Sequence, residues 1–256
     1  MVIGRGRQKN LQSTTKSGVG GTVSGHYLRG IADYLVQQKL DVAGFLAEFD
    51  LSTESLEGAG KRVALVIYEA MLERAAELAG DENAGLHIGE CIKPGQYGAL
   101  GLSVMSCKTA AEAFERHMRY EKLVSDRAVS TYHFEGEQIR LSWDTHGLPV
   151  GRKVAEENVT SWVTFLRWIT GQSPALTTVN FSHAQPADLS EYERIFGCVV
   201  HFDQPMVELI FPAHISDLPI TQHDPVMREM MDAYAEKLLR ELSQSDGLLG
   251  EVRALM

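Results

Sequence analysis

Hydrophobic positions recur at helical spacing through the first half of the chain and at strand spacing through much of the second. Leu28, Ile31, Ala32 and Leu35 form a stripe that predicts a helix, with order beginning near Ser24. Asp41 is placed to cap a short helix over 42–49. Val63, Val66, Ile67, Ala70, Met71, Ala75 and Leu78 predict a long helix over 62–79, closed by Gly80. Asp81 can start another, through Gly89. A glycine-rich loop over 94–101 feeds a helical piece over 102–106. Thr109-Ala-Ala-Glu112 then has the pattern of a capping box, so a helix is expected to run to about Ser125 with Ala113, Phe114, His117 and Val124 on one side.

The period changes at Tyr132 and Phe134, which alternate with polar neighbours. Glu135-Gly136-Glu137 turns the chain, and Ile139, Leu141 and Trp143 alternate on the return, as in a hairpin with one dry face. A long helix is expected over 151–170, with Ala155, Val159, Trp162, Leu166 and Ile169 inward. Val179, Phe181 and His183 share one face of a further strand. Ser190-Glu-Tyr-Glu193 predicts a short capped helix ended by Gly197, followed by strands near 199–202 and 207–211. The order is a helical N-terminal half and then ββαβαββ. That predicts an α+β fold with an antiparallel-type sheet and helices on one face.

One more helix closes the sequence. Asp224 is an N-cap, Pro225 stands at the favoured first helical position, and the helix is expected to reach about Ser243. Met227, Met231, Tyr234 and Leu238 follow 4-3-4 spacing, a short coiled-coil-like seam. Such a seam either packs inside the fold or pairs with a second copy.

Composition adds limits. The 256 residues are 44% hydrophobic and 23% charged, an ordinary globular mixture. The longest apolar run, Val63 to Tyr68, is far too short to span a membrane, and the first thirty residues have no secretory h-region. Three scattered cysteines, Cys91, Cys107 and Cys198, fit a cytoplasmic chain with reduced thiols. The formal charge is −10, yet residues 1–30 hold Arg5, Arg7, Lys9, Lys16 and Arg29 and no acid. Segment 1–24 reads as a disordered basic tail rich in Gly, Ser and Thr, with contact to nucleic acid as the alternative. The acidic body lacks the clustered cations that duplex DNA requires.

Candidate chemistry is sparse. Gly95, Gly98 and Gly101 do not have the spacing of a phosphate loop and read as a tight turn. Ser103 sits in a sequence one glycine short of a nucleophile elbow. Cys198 and His201 are three apart and would point to opposite faces of a strand, while His87 and Cys91 supply two ligands where a zinc site needs more. His117 and His183 lie on apolar faces, as core histidines do. No nucleophile, base and oxyanion site assembles, so no enzyme, metal or cofactor is expected.

Three stretches resemble a known family. Pro94 to Ser106, followed by Thr109 to Phe114 and Arg119-Tyr120, is similar to the centre of the arabinose-binding type of sensor domain in AraC/XylS-type transcription regulators. Val179 to His183, Pro186, Tyr192, Phe196-Gly197 and Val200 to Phe202 resemble its second signature, and Gly85 to Gly89 a third, shorter piece. The resemblance covers about 27–242. It implies a bacterial sensor that dimerises, binds a small effector and reaches promoter DNA only through a separate C-terminal domain with helix-turn-helix motifs. The expected divisions are a sensor domain over 25–222 and a linker and dimerisation helix over 223–256, whose last residues, 250–256, resemble the start of that absent domain. A ligand-free dimerisation domain and a small hydrolase are the alternatives. The family's effector contacts do not map onto a motif, so the pocket is read from apolar faces: Tyr97, Met105, Trp143, Trp162 and Phe165 between the first-half helices and the sheet. The expected dimer contacts are Met227, Met231, Tyr234 and Leu238.

Overall fold

The computed structural model describes residues 21–57, 60–126, 129–145 and 150–254. Residues 1–20 of the expected basic tail, 1–24, and the last two residues lie outside them, whereas Thr22–Ser24, expected as tail, form a strand because they pair with Arg62–Ala64. In chain order the elements are β1 (Thr22–Ser24), α1 (Arg29–Gln37), α2 (Val42–Ala47), β2 (Arg62–Ala64), α3 (Leu65–Ala79), α4 (Ala84–Glu90), α5 (Ala99–Met105), α6 (Ala110–Tyr120), β3 (Val129–Glu135), β4 (Gln138–Asp144), α7 (Arg152–Thr170), β5 (Thr178–Asn180), α8 (Ser190–Phe196), β6 (Val199–His201), β7 (Val207–Pro212) and α9 (Pro225–Ala254). Short 3-10 turns join several of them.

The α+β expectation holds. A five-stranded sheet runs β3-β4-β7-β5-β6, and β1 pairs with β2 in a separate two-stranded ribbon. The hairpin register sets Phe134 opposite Ile139, Tyr132 opposite Leu141 and Ser130 opposite Trp143. Leu141 then faces Leu209, and Trp143 faces Val207, across the β4–β7 ladder. Alternation therefore puts Ile139, Leu141, Trp143, Val207, Leu209 and Phe211 on one buried face, against which α6 and α7 pack. The opposite face holds a polar trio. Arg140 and Asn180 each donate to the Glu208 carboxylate at 2.8 Å.

Several local expectations are corrected. The sheet is mixed: β5 and β6 run parallel, because α8 carries the chain across between them. The expected helix over 62–79 opens as a strand, since Arg62–Ala64 pairs with β1, and only Leu65–Ala79 is helical. That shifts its buried stripe to Leu65, Tyr68, Met71, Leu72, Ala75 and Ala76 and leaves Val66 and Leu78 exposed. Ser190 does not cap α8; Leu189 stands there, and Asp188 accepts from the Ser190 N–H instead. α9 continues to Ala254 rather than stopping near Ser243. The Asp224 cap forms as expected, its carboxylate accepting from the N–H groups of Val226 and Met227.

The α4–α7 contact is unusually close, and two glycines permit it. A Cβ on Gly89 would lie 2.6 Å from the Thr160 Cβ and 2.7 Å from the Glu157 carbonyl oxygen, and one on Gly85 would lie 2.6 Å from the Lys153 carbonyl oxygen. The two backbones meet with no side chain between them. This docking fixes α7 relative to the helical half, and with it the buried residues that α7 presents to the sheet.

Candidate functional site

α7 is the organising element. Its inward positions include Ala155, Val159, Trp162, Phe165 and Leu166, and all are buried. Trp162 meets Trp143 of β4 edge to face, with centroids 5.6 Å apart. His117 of α6 packs against Trp162 at 3.9 Å. Phe165 stacks on Tyr97 at 4.9 Å, and Tyr97 in turn touches Tyr27 and His117. Burial alone drives the His117 ring down to about 3, so it is neutral. The fold thus gathers Tyr97, Trp143, Trp162 and Phe165 into one continuous aromatic cluster. Met105, on α5, is half-buried against the core.

A cavity of about 80 Å³ lies beside this cluster. It is lined by Leu65 and Glu69 of α3, Ser125, Trp143 and Thr145, Val150, Val154, Ala155 and Asn158 near and on α7, and Val207 of β7. Of the five expected pocket residues, Trp143 alone lines it. Trp162 touches Trp143 from the protein side, and Tyr97 and Phe165 do not line the cavity. Sequence reasoning missed Leu65 with Glu69 and Val154 with Asn158, although each pair is spaced four apart and so shares one side of a helix. The indole nitrogen of Trp143 is buried and has no hydrogen-bond partner among the described residues.

A buried carboxyl stands deeper on α7. Glu157 accepts from the Tyr27 hydroxyl at 2.8 Å and the Ser161 hydroxyl at 2.7 Å, and burial raises its pKa. It ties α7 to the start of the helical half. The neighbouring Glu156 pairs with Arg152 at 2.5 Å and accepts from the Tyr192 hydroxyl, with His183 of the second sequence signature 3.9 Å away. His183 also packs among Phe181 and Phe202. These groups hold the fold together.

The weaker chemical candidates find structural uses. Ser103 is fully buried, and its hydroxyl donates to Asp232 of α9. A Cβ at Gly101 would lie 1.9 Å from the Pro94 carbonyl oxygen, so this glycine lets α5 seat closely on the preceding backbone, and the turn itself falls at Gly98, whose φ is +60°. His87, Glu90 and Glu191 offer ligand atoms within 4.8 Å of one another. All three are already engaged: His87 bridges Asp81 at 2.6 Å and Glu191 at 2.9 Å, and Arg194 spans Glu90 and Glu191. That cluster is an ion-pair network. Cys91 is not part of it; its thiol points to the His87 carbonyl, and burial pushes it up to about 11. His201 is exposed on β6, just after the half-buried Cys198.

The terminal helix is held by charge and by a small apolar contact. Arg116 reaches Asp232 at 3.3 Å, Arg119 pairs with Glu236, and Arg228 pairs with Glu112 at 2.9 Å. Ala235 is fully buried, and Leu238 and Leu239 pack against the core. Of the expected seam, Leu238 and Met231 are half-buried, whereas Met227 and Tyr234 are 44% and 43% exposed. Val226 and Met230 join the exposed side at 67% and 59%.

Residues 40–220 match the family described as the arabinose-binding domain of AraC transcription regulator, N-terminal. The chain belongs to this family. The AraC-type domain is 21% identical over 233 residues to the ornithine utilization regulator of Pseudomonas aeruginosa, across 90% of this chain and 68% of that protein. Its fold is similar to that of the transcriptional regulator CdpR from Pseudomonas aeruginosa, with a TM-score of 0.59 at 16% identity, over 80% of this chain and 61% of the other. These relatives are transcription regulators rather than enzymes, in keeping with the structural use of Ser103. No helix among the described residues is long and apolar enough to cross a membrane.

Proposed function

We propose that this AraC-type domain is the effector-sensing and dimerising part of a DNA-binding transcription regulator. A small molecule enters the cavity against Trp143, and its binding changes how α9 meets a second copy and the promoter-binding part of the regulator. The observation that carries this reading is the cavity of about 80 Å³ against Trp143, with aliphatic walls from Leu65, Val150, Val154, Ala155 and Val207. To act as a switch, the effector must bind two states of the domain unequally. A tenfold bias needs only about 1.4 kcal/mol. The exposed apolar side of α9 supplies a self-complementary surface for a two-fold dimer.

The test is thermal denaturation of the chain with fractionated metabolite extracts, in wild type and in Val154→Phe, which fills the cavity. A stabilising fraction whose effect vanishes in Val154→Phe supports the site. Equal stabilisation of both proteins moves the site elsewhere. A dimer by sedimentation that responds to no fraction would favour a ligand-free dimerisation domain.

A further inference from the structure

We infer that the cleft between α6 and α9 is a second ligand site, one that takes a small zwitterion such as a free α-amino acid. It goes beyond the cavity against Trp143 and shares no lining residue with it. The cleft has a volume of about 390 Å³ and is lined by Glu115, Arg116, Arg119 and Tyr120 of α6 and by Asp232 and Glu236 of α9. Helical spacing sets two cations on one helix against two acids on the other, since Arg116 and Arg119 are three apart and Asp232 and Glu236 four apart. The Arg116 side chain is three-quarters buried, yet among the described residues it uses one N–H donor, from Nε to Asp232 at 3.3 Å. Its approach to Glu115, at 3.7 Å, is too long for a hydrogen bond. The Nη atoms are not sealed in the core and open onto the cleft. Such a fork is what a carboxylate fills with two parallel hydrogen bonds. Arg119, paired with Glu236 and exposed, adds a second cation beside it. A lone anion in the cleft would also face three carboxylates, and a lone cation two guanidinium groups. A zwitterion meets opposite charge at both ends, with its carboxylate on Arg116 and Arg119 and its ammonium on Asp232 and Glu236. The ion pairs already present do not bar it, because partly exposed pairs are weak and a carboxylate oxygen accepts more than one hydrogen bond. The volume is well above the ~150 Å³ of a cavity that holds benzene, which leaves room for a side chain. Because the lining comes from two helices, a bound zwitterion clamps α9 onto the body of the domain.

Three matched probes test the site. Norleucine is compared with hexanoate, which lacks its ammonium, and with pentylamine, which lacks its carboxylate, by isothermal titration calorimetry and hydrogen exchange on the whole chain. Norleucine is expected to bind about tenfold more tightly than either, or better, and to slow exchange in the first turns of α9. Arg119→Gln, a change at an exposed position, should weaken norleucine about tenfold, and Arg116→Gln at least as much, each through the loss of a charge-assisted hydrogen bond. Because the comparison of the three probes is made in the wild type, it stands even where Arg116→Gln loosens α9. Hexanoate or pentylamine that binds as tightly as norleucine overturns the ligand class. Norleucine binding that survives both arginine variants but is lost in Val154→Phe puts the ligand against Trp143, and overturns this site while supporting that one. The absence of norleucine binding at millimolar concentration overturns the inference and leaves the Trp143 cavity unaffected.

Discussion

Ser103 donates its hydroxyl hydrogen to Asp232 at 2.5 Å, across the junction between α5 and α9. The other carboxylate oxygen of Asp232 takes Arg116 of α6. One acid on the terminal helix thus closes two contacts to the body, one of them with a fully buried hydroxyl. Asp232→Ala should leave that hydroxyl without a partner and cost about 1–3 kcal/mol by urea denaturation. Hydrogen exchange of the first turns of α9 should accelerate at the same time. Unchanged exchange would mean that Ala235, Leu239 and the Arg119 and Arg228 ion pairs hold the helix without Asp232.

The α4–α7 contact predicts an asymmetry between two glycines. Gly89→Ala should destabilise by about 1–3 kcal/mol, because the added carbon meets backbone and a β-branched side chain and outweighs the helix propensity gained. Gly151→Ala, with nothing within 4 Å of its new carbon, should be close to neutral. Equal urea midpoints for both variants would show that the helices can separate at little expense.

Two histidines give opposite slopes with pH. Hydrogen bonding to Asp81, joined by Glu191, raises His87 from 6.5 to about 9. Its stabilisation is fully present below pH 6.5 and disappears as pH rises through about 9. For this half-buried group it is on the order of 1–2 kcal/mol after solvent screening. His87→Gln should remove that loss from the stability curve measured between pH 6.5 and 9.5.

His117 acts at the other end. Its folded value of about 3 lies below the ordinary 6.5, so acid protonates the unfolded chain first. Stability should fall from pH 6.5 towards pH 3 by roughly 3–5 kcal/mol on this account. His117→Gln should flatten that limb relative to wild type, read as urea midpoint against pH. A limb of the same slope in the variant would place the acid sensitivity in other groups.

On α9 the two sides of the expected seam should behave differently. Met230→Lys with Tyr234→Lys should disrupt self-association in sedimentation at micromolar concentration and leave the melting temperature of the monomer unchanged, since both side chains are exposed. Leu238→Lys should lower stability instead, because Leu238 packs against the core. Association that survives the double lysine variant would remove this face from the interface.

Much of the frame was legible in the pattern of residues. The hairpin register followed from the alternation of Tyr132, Phe134, Ile139, Leu141 and Trp143, and the α9 cap from Asp224-Pro225. What failed had non-local causes. Nothing around Arg62 announces a strand, because its pairing partner, Thr22–Ser24, lies in a segment whose composition resembles a tail. The parallel β5–β6 pair depends on where α8 crosses, which strand-length patterns do not encode. Aromatic residues pointed to the right region for the candidate pocket, and the structure joined four of the five into one cluster. Only Trp143 reaches the cavity itself, because bulky side chains fill the interior and leave smaller aliphatic residues such as Val154 and Ala155 to line the gap.

The glycine-mediated seating of α4 on α7 also bears on mechanics. Two helices in backbone contact have no side-chain layer through which to slide, so they shift together or not at all. Val154, Ala155 and Asn158 therefore belong to a stiff wall. Expansion of the cavity around a larger guest must be taken up opposite them, where Leu65 and Glu69 begin α3 directly after the β1–β2 ribbon.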